Sequence, residues 1–376
     1  MPNEQLIPIL RKALLSEPLP ANFAIADMNA LSEAAYRHGI APLVFDVMLE
    51  IGWGDETMKQ VCYQNMLQQS VWSDTIAQAV RSLKKANLQP ALLKGFGLAT
   101  LYPKPYLRAW TDADIWVGVA QYHQACGVLR TTFPDAKHHD EEYEELKHYC
   151  FVFPDGKAIE LHRVSMDFIA PDEQNYWQHL EVPALTAQQH CITIGDQQIA
   201  LPEQPFNLLF VFAHAWEHFT SSGIPLKQLC DLMLLLNQIL ADNNGRIPKE
   251  YLAYWNRHLS RLHMLEIWRS IGYCVEQLSG KQGSWPLGID ERYGKYLWLR
   301  ILQEGQGRVA HTNRYQLREQ AKQMPVIKRK FITLHARFNA YRFLKTYAPV
   351  YARHLLAEEI KKGIRRTIRN ERMIDY

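Results

Sequence analysis

Residues 92–117 carry the stretch that decides the fold, LLKGFGLATLYPKPYLRAWTDADIWV. A short apolar run ends at Lys94 and Gly95, and a second apolar run begins at the aspartate pair Asp112 and Asp114. Two prolines interrupt the segment between the runs, so it predicts a strand, a helix of about two turns, a loop and a second strand.

Outward from this stretch the chain predicts helices on both sides. NALSEAAYRHGIAPLVFDVML and the segment after Asp55, a plausible helix cap, have apolar positions three or four residues apart. HYCFVFPDGKAIELHRV and CITIGDQQIAL predict two hairpins, and the chain from Pro205 onward is again helical. The expected class is α+β, with a helical region at 1–87, an α/β core at 88–202 and a helical region with a basic tail at 203–376.

The bulk composition is that of a soluble globular protein. The 376 residues are 47% hydrophobic, without an apolar run of 18 or more residues, so no membrane span is expected. The N-terminal residues lack the pattern of a signal peptide, and none of the six cysteines forms a C-x-x-C pair. We therefore expect reduced thiols and a cytoplasmic location.

The small net charge of +3 hides a strong asymmetry. Residues 308–376 contain 17 Lys and Arg against 5 Asp and Glu, a net +12, whereas the rest contains 25 against 34, a net −9. The basic segment, with VIKRKF and EEIKKGIRRTIRNERM, could bind nucleic-acid phosphates. The alternative is a set of helices that are solvated or that cover the acidic remainder of the chain.

Three carboxylates form the candidate centre. In a strand, Asp112 and Asp114 point to one face, and their mutual repulsion is usually compensated by a divalent cation such as Mg²⁺ or Mn²⁺. A two-metal site needs a third carboxylate, which Glu160 can supply because it alternates with Ile159 and Leu161 in the hairpin. Alone, each motif is more often a turn or a solvated strand edge; their order along the chain favours a site.

The ordered set L-K-G, an aromatic-Pro loop, an Arg, D-x-D and a later IELH resembles an uncharacterised bacterial nucleotidyltransferase family. The resemblance spans residues 30–240, including RHGIAPLVF and a helical His…His…Asp region, and the family is similar to the polymerase-β-type superfamily. It implies a small mixed nucleotidyltransferase-type sheet with flanking helices. It also implies transfer of a nucleoside monophosphate from an NTP such as ATP to a hydroxyl acceptor, with two Mg²⁺ or Mn²⁺ ions.

The resemblance assigns roles to single residues. Asp112 and Asp114 match the metal-binding D-x-D, Glu160 matches the third carboxylate, and all three are expected to be catalytic. Lys94 and Gly95 stand where the superfamily has a nucleotide-binding Gly-Ser pair. The next residue is a phenylalanine, without a hydroxyl for phosphate, so Lys94 would act as a point charge there.

Further polar residues are candidates around this centre. Arg108 is a candidate phosphate clamp, or else a structural arginine that pairs with a surface carboxylate. His162, His214, His218 and Asp231 are expected behind the metal ligands or on the acceptor side. His214 and His218, four residues apart on one helix face, could instead bind zinc. Asp231 is expected to pair with a nearby His, a lysine four residues earlier or a helix end.

Three functions remain open from the sequence. The first is a metal-dependent nucleotidyltransferase whose acceptor is a protein, an RNA end, a peptide or a small molecule. The second is a catalytically inactive nucleotide- or partner-binding module on the same fold, favoured by Phe96 in place of a serine. The third is a zinc hydrolase built on His214 and His218.

Overall fold

The computed structural model describes residues 2–138, 147–187, 189–221, 223–305 and 338–368. The chain begins with four helices, which are α1 (Pro2–Leu15), α2 (Met28–Arg37), α3 (Ala41–Glu50) and α4 (Glu56–Lys85). Asp27 and Asp55 cap α2 and α4 by accepting hydrogen bonds from backbone N–H groups at 3.0 and 2.8 Å. The predicted cap at Asp55 is therefore confirmed.

Within the described ranges, one seven-stranded mixed sheet lies at the centre of the fold. Its strands are β1 (Ala91–Leu92), β2 (Asp112–Trp116), β3 (Lys137–His138), β4 (His148–Val152), β5 (Ala158–His162), β6 (Cys191–Ile194) and β7 (Gln197–Ala200). Their order is β3-β4-β5-β2-β1-β7-β6, in which β2 runs parallel to β5 and β1 parallel to β7. The predicted hairpins are confirmed as β4–β5 and β6–β7, and so is the α+β class.

Further named helices of the described part of the chain pack around this sheet. They are α5 (Phe96–Ala99), α6 (Gly118–Thr132), α7 (Pro171–Thr186), α8 (Phe206–Ser221), α9 (Leu226–Asp242), α10 (Lys249–Arg261), α11 (Leu265–Ser279), α12 (Glu291–Glu304) and α13 (Pro349–Ile368). Helix α5 has one turn instead of the expected two. At its end, i to i+3 hydrogen bonds replace the i to i+4 bonds of an α-helix, and a Pro-rich loop follows. Helix α7 was missed, although it begins with a proline and two acidic residues, which are ordinary helix-start signals.

Two hydrophobic clusters hold these elements together. The inner faces of β2 and β5 pack with α6 and the second half of α4, whereas α1–α3 share a core with α8–α12. The N-terminal helices thus contribute to both clusters, and the proposed boundaries at 87 and 202 stay predictions. The opposite, polar face of β2 and β5 is left for contact with α8.

The described residues bear on two expectations from composition, which concern membrane spans and the basic C-terminal segment. None of the helices in the described ranges combines the length and hydropathy needed to cross a bilayer. Of the basic segment, 338–345 and α13 are helical, while 306–337 and 369–376 lie outside the described residues. Binding of nucleic acid by this segment stays a prediction.

Candidate functional site

The parallel pairing of β2 with β5 brings the predicted carboxylates onto one face of the sheet. Asp114 lies directly opposite Glu160 in the register, and Asp112 lies two residues earlier on the same face of β2. Ile159 and Leu161, which alternate with Glu160, are fully buried on the other face. The alternation expected from the sequence is therefore present in β5.

Asp114 is the buried centre of the face. Its Oδ1 lies 3.1 Å from Lys94 Nζ and 2.9 Å from His162 Nε2, while its Oδ2 meets no hydrogen-bond donor among the described residues. Burial would raise the pKa of Asp114, but the Lys94 charge and the His162 hydrogen bond hold it well below its usual value. Asp114 is thus an ionised carboxylate with one oxygen satisfied and one not.

A tight turn positions Lys94 over this carboxylate. The Leu93 N–H donates to the Asp114 carbonyl at 3.0 Å, which fixes β1 against β2 just before the turn. Gly95 follows with φ of 60°, a left-handed conformation that favours glycine, and a Cβ there would lie 3.2 Å from the Asp112 carbonyl oxygen. Burial lowers the Lys94 pKa, but Asp114 and the other acids outweigh this and raise it.

Glu160 is joined to Asp114 through histidine. Its Oε2 lies 3.4 Å from His162 Nε2, and its Oε1 lies 3.6 Å from His148 Nε2 on β4. Burial raises the pKa of Glu160, yet the His162 hydrogen bond leaves it lowered. The other His162 nitrogen lies 3.3 Å from the Val164 carbonyl, so both ring nitrogens face oxygens, and the His162 pKa is raised against the effect of burial.

Asp112 stands at the edge of this cluster. Ligand atoms of Asp114, Glu160 and His162 all lie within 4.8 Å of one another, a group that does not include Asp112 among the described residues. The pKa of Asp112 is raised, first by burial and then by the Asp114 charge. Asp112 therefore lies outside the tight group and interacts with it through its charge.

The residues present fit a divalent cation. A buried carboxylate oxygen without a donor is costly, and Asp114 Oδ2 is in that position within the described part of the chain. Carboxylate oxygens on one face are the ligands that Mg²⁺ and Mn²⁺ prefer. The fit supports one ion beside Asp114, whereas the second predicted ion stays a prediction.

Helix α8 closes the face with His214 and His218. His214 Nε2 lies 3.0 Å from both Lys94 Nζ and His218 Nε2, and Lys147 Nζ contacts Glu217 of the same helix at 2.6 Å. Burial and then the Lys94 charge lower the pKa of His214 strongly and that of His218 to about 4. His214 is therefore a neutral acceptor for the Lys94 ammonium.

Zinc at the His214 and His218 pair lacks a third ligand in the described structure. Neither histidine belongs to any group of three metal-ligating side chains found there. A buried ammonium already faces the shared nitrogen of His214, which opposes a second cation at that point. His214 contacts Lys94 and His218 contacts His214, and their role behind the carboxylates or on the acceptor side stays a prediction.

Arg108 is engaged by the buried carboxylate of Asp231. Its Nε and one terminal nitrogen donate to the two Asp231 oxygens at 2.8 Å each, and Tyr102 donates its hydroxyl to the same carboxylate at 2.7 Å. The whole group is buried. This favours the structural alternative for Arg108, with a buried carboxylate in place of the surface one, and Asp231 pairs with this arginine instead of the partners expected for it.

Phe96 has a packing reason for its identity. It is buried in the sheet cluster, and its ring meets Trp110 edge to face at a centroid distance of 4.5 Å. A serine there would leave this contact empty. The backbone N–H of Gly97 donates a hydrogen bond to the Lys94 carbonyl, so this amide is not free to bind an anion.

Sequence reasoning did not assign several polar residues to the site, which are Lys147, His148, Cys150, Glu217 and Lys227, the last of which was considered only as a partner of Asp231. Lys227 is buried, donates to the Ala109 carbonyl at 3.2 Å, and has its pKa lowered to about 8 by burial and then by Arg108. The signal was present for some: Lys227 and Asp231 are four residues apart on one helix face, and Glu217 lies between the paired histidines.

This site lies in a protein whose family can be assigned. A family model described as uncharacterised nucleotidyltransferase matches residues 25–275, more than half of the chain, and the protein belongs to this family. The resemblance to an uncharacterised nucleotidyltransferase family is thereby confirmed, whereas its bacterial range and its polymerase-β-type superfamily stay expectations. No curated protein matches the chain.

Among solved structures, the chain is similar to an antigenic nucleotidyltransferase-like protein from Paracoccidioides brasiliensis. The identity is 16% and the TM-score is 0.29, over 46% of this chain and 76% of that one.

Proposed function

We propose that this protein is a metal-dependent nucleotidyltransferase that moves a nucleoside monophosphate from an NTP to a hydroxyl acceptor. The observation that carries the proposal is the pairing of Asp114 with Glu160 across parallel strands, with Asp112 on the same face. The unsatisfied Asp114 Oδ2, within the described residues, supports a cation at this point. Membership of a nucleotidyltransferase family supports the type of reaction.

The carboxylates have separate tasks in this proposal. Asp112, Asp114 and Glu160 hold Mg²⁺ or Mn²⁺, which when bound stabilises charge on the triphosphate and acidifies the acceptor hydroxyl. The acceptor oxygen attacks the α-phosphorus, the bond to pyrophosphate breaks, and the acceptor proton passes to a Glu160 oxygen. Glu160 suits this role because its side chain is 18% exposed, whereas Asp114 is enclosed.

Lysine side chains neutralise the phosphates in this proposal. Lys94 is fixed over Asp114 by the Gly95 turn, and Lys227 lies close enough to Asp112 for the two charges to interact. Both are buried cations, whose fields are screened less than those of surface lysines. Arg108 has a positioning role in this proposal. Its guanidinium is engaged by Asp231, and this pairing fixes the loop that precedes β2.

The test is transfer of label from α-phosphate-labelled NTPs with Mg²⁺ or Mn²⁺. Acceptors are proteins, peptides, RNA ends and small hydroxylated molecules, and pyrophosphate release is followed in parallel. Asp112→Asn and Asp114→Asn should abolish transfer. Asp135→Asn, at an exposed aspartate after α6, is the matched control and should keep it. Equal activity in all four proteins would refute the proposal.

One observation favours the binding module as a second candidate. Phe96 is committed to the Trp110 contact at the position where the superfamily has its phosphate-binding serine. A binding module would retain metal-dependent NTP affinity that Asp114→Asn weakens, yet release no pyrophosphate with any acceptor. Pyrophosphate release that depends on Asp114 would exclude it.

A further inference from the structure

A second group of metal-ligating side chains lies outside the carboxylate face. It consists of Glu173 in the first turn of α7, His263 between α10 and α11, and His354 on α13. The nearest ligand atoms of the three residues all lie within 4.8 Å of one another. Segments about 90 residues apart in the chain therefore converge on one point.

The contacts within this group are those of ligands without their ion. Glu173 Oε1 and His354 Nε2 lie 2.7 Å apart, yet neither atom has a hydrogen-bond partner of acceptable geometry among the described residues. Glu173 is only 5% exposed, so water reaches its carboxylate poorly. The rings of His263 and His354 stack at a centroid distance of 4.0 Å, so the two imidazoles lie side by side next to the carboxylate.

We propose that Glu173, His263 and His354 bind a Zn²⁺ ion, with solvent as the fourth ligand. Two imidazoles and one carboxylate form a ligand set typical of zinc, whereas Mg²⁺ prefers oxygen alone. His263 is exposed and leaves the site open on its side, which provides the position for water. The ion compensates the buried Glu173 oxygen, for which the short His354 contact supplies no hydrogen bond of acceptable geometry.

The surrounding charges allow a cation. Arg261 is paired with Asp172 at 3.0 Å, and Lys361 is paired with Glu358, one turn beyond His354. Together with Glu173, three acidic groups face two basic ones, so the neighbourhood carries a formal charge of −1 before the imidazoles are counted. The positive groups near the site are each engaged by a carboxylate.

The consequence of zinc here is mechanical. One ion would join α7, the turn before α11 and α13, and so anchor α13 to the body of the protein. Since α13 is otherwise held by packing and a few polar contacts, bound zinc would raise the unfolding temperature. This role is independent of the carboxylate face and of the reaction proposed for it.

The experiment uses the untagged full chain, stripped with a chelator and dialysed. Calorimetric titration with Zn²⁺ and thermal unfolding with and without Zn²⁺ are measured for the wild type, Glu173→Gln, His263→Gln and His354→Gln. We expect a zinc-dependent rise in melting temperature in the wild type. Each variant should weaken zinc affinity at least about tenfold and lose most of that rise.

Two controls separate this site from other zinc binding. His179→Gln, at an exposed histidine on α7, and Asp114→Asn, on the carboxylate face, should both keep the affinity and the rise. His263 is exposed, so its replacement leaves the core intact and guards against loss of binding through misfolding. Equal zinc affinity and equal melting shifts in the wild type and the three ligand variants would overturn the proposal, as would loss of both in Asp114→Asn alone.

Discussion

Asp114 and Asp231 are both buried carboxylates, but their surroundings differ. Asp231 receives two hydrogen bonds from Arg108 and one from Tyr102, and both of its oxygens are satisfied. Lys94 and His162 both contact Oδ1 of Asp114, whereas Oδ2 has no donor in the described residues. A carboxylate that is fully paired stabilises the fold, whereas one left half satisfied is suited to bind a ligand.

The largest effect on stability is expected at the fully paired carboxylate. Asp231→Asn leaves the Arg108 guanidinium buried without a countercharge, which should cost about 3–5 kcal/mol of unfolding free energy. Urea denaturation measures it. The matched control is Asp172→Asn, which breaks an exposed pair with Arg261 and should cost about 1 kcal/mol or less. Equal losses of unfolding free energy in the two variants would mean that breaking the buried pair costs no more than breaking the exposed one.

At the half-satisfied carboxylate the effect should fall on activity instead. Asp114→Asn should lower nucleotidyl transfer by at least about 10²–10³-fold, because it removes the charge that holds the cation. Its melting temperature should change less than that of Asp231→Asn, because Lys94 keeps His214 as an acceptor and the nearby charges of Asp112 and Glu160, whereas Arg108 loses its paired carboxylate. Steady-state kinetics and thermal unfolding of both variants test this contrast, and a reversed pattern would contradict it.

A buried histidine extends the comparison to pH. His38 is buried, accepts a hydrogen bond from the Leu226 N–H at 3.3 Å, and has its pKa lowered to about 4, first by burial and then by Arg37. Because the folded pKa lies below the unfolded one, stability is complete above about pH 6.5 and is lost as the pH falls toward 4. The loss should reach about 3 kcal/mol near pH 4.

The His38 prediction is tested by urea denaturation of the wild type and His38→Asn across this range. Asparagine keeps an acceptor for the Leu226 N–H but does not titrate there, so the gap between the two proteins should shrink or reverse as the pH falls. Parallel curves would show that His38 does not contribute to the acid response.

The smallest effect is expected at the turn that positions Lys94. Gly95→Ala places a Cβ 3.2 Å from the Asp112 carbonyl at a φ of 60°, and should cost about 1–2 kcal/mol. Transfer activity should fall as well, because the Lys94 contact with Asp114 shifts. Gly127→Ala in α6, where a Cβ meets nothing within 4 Å among the described residues, should be neutral or stabilising. Denaturation and transfer assays compare the two.

Much of the site was predictable because strand alternation is a local property. The i, i+2 spacing placed Asp112 and Asp114 on one face, and the same rule placed Glu160 and His162 together on β5. The turn residues of both hairpins were also readable, since turn chemistry depends on a few neighbouring residues. Arg108 was harder, because a phosphate clamp and a structural arginine have the same sequence signal.

The sequence by itself determined β1, β2, the two hairpins, the Lys94 turn and the faces on which the carboxylates lie, whereas the short β3 was not predicted. Only the tertiary structure decided that β5 runs parallel beside β2, that Arg108 pairs with Asp231, 123 residues away in the chain, and that His214 faces Lys94. It also decided the meeting of Glu173, His263 and His354. Local periodicity fixes which way a side chain points, but partners far apart in the chain are chosen by how helices pack on the sheet, which no short window of sequence specifies.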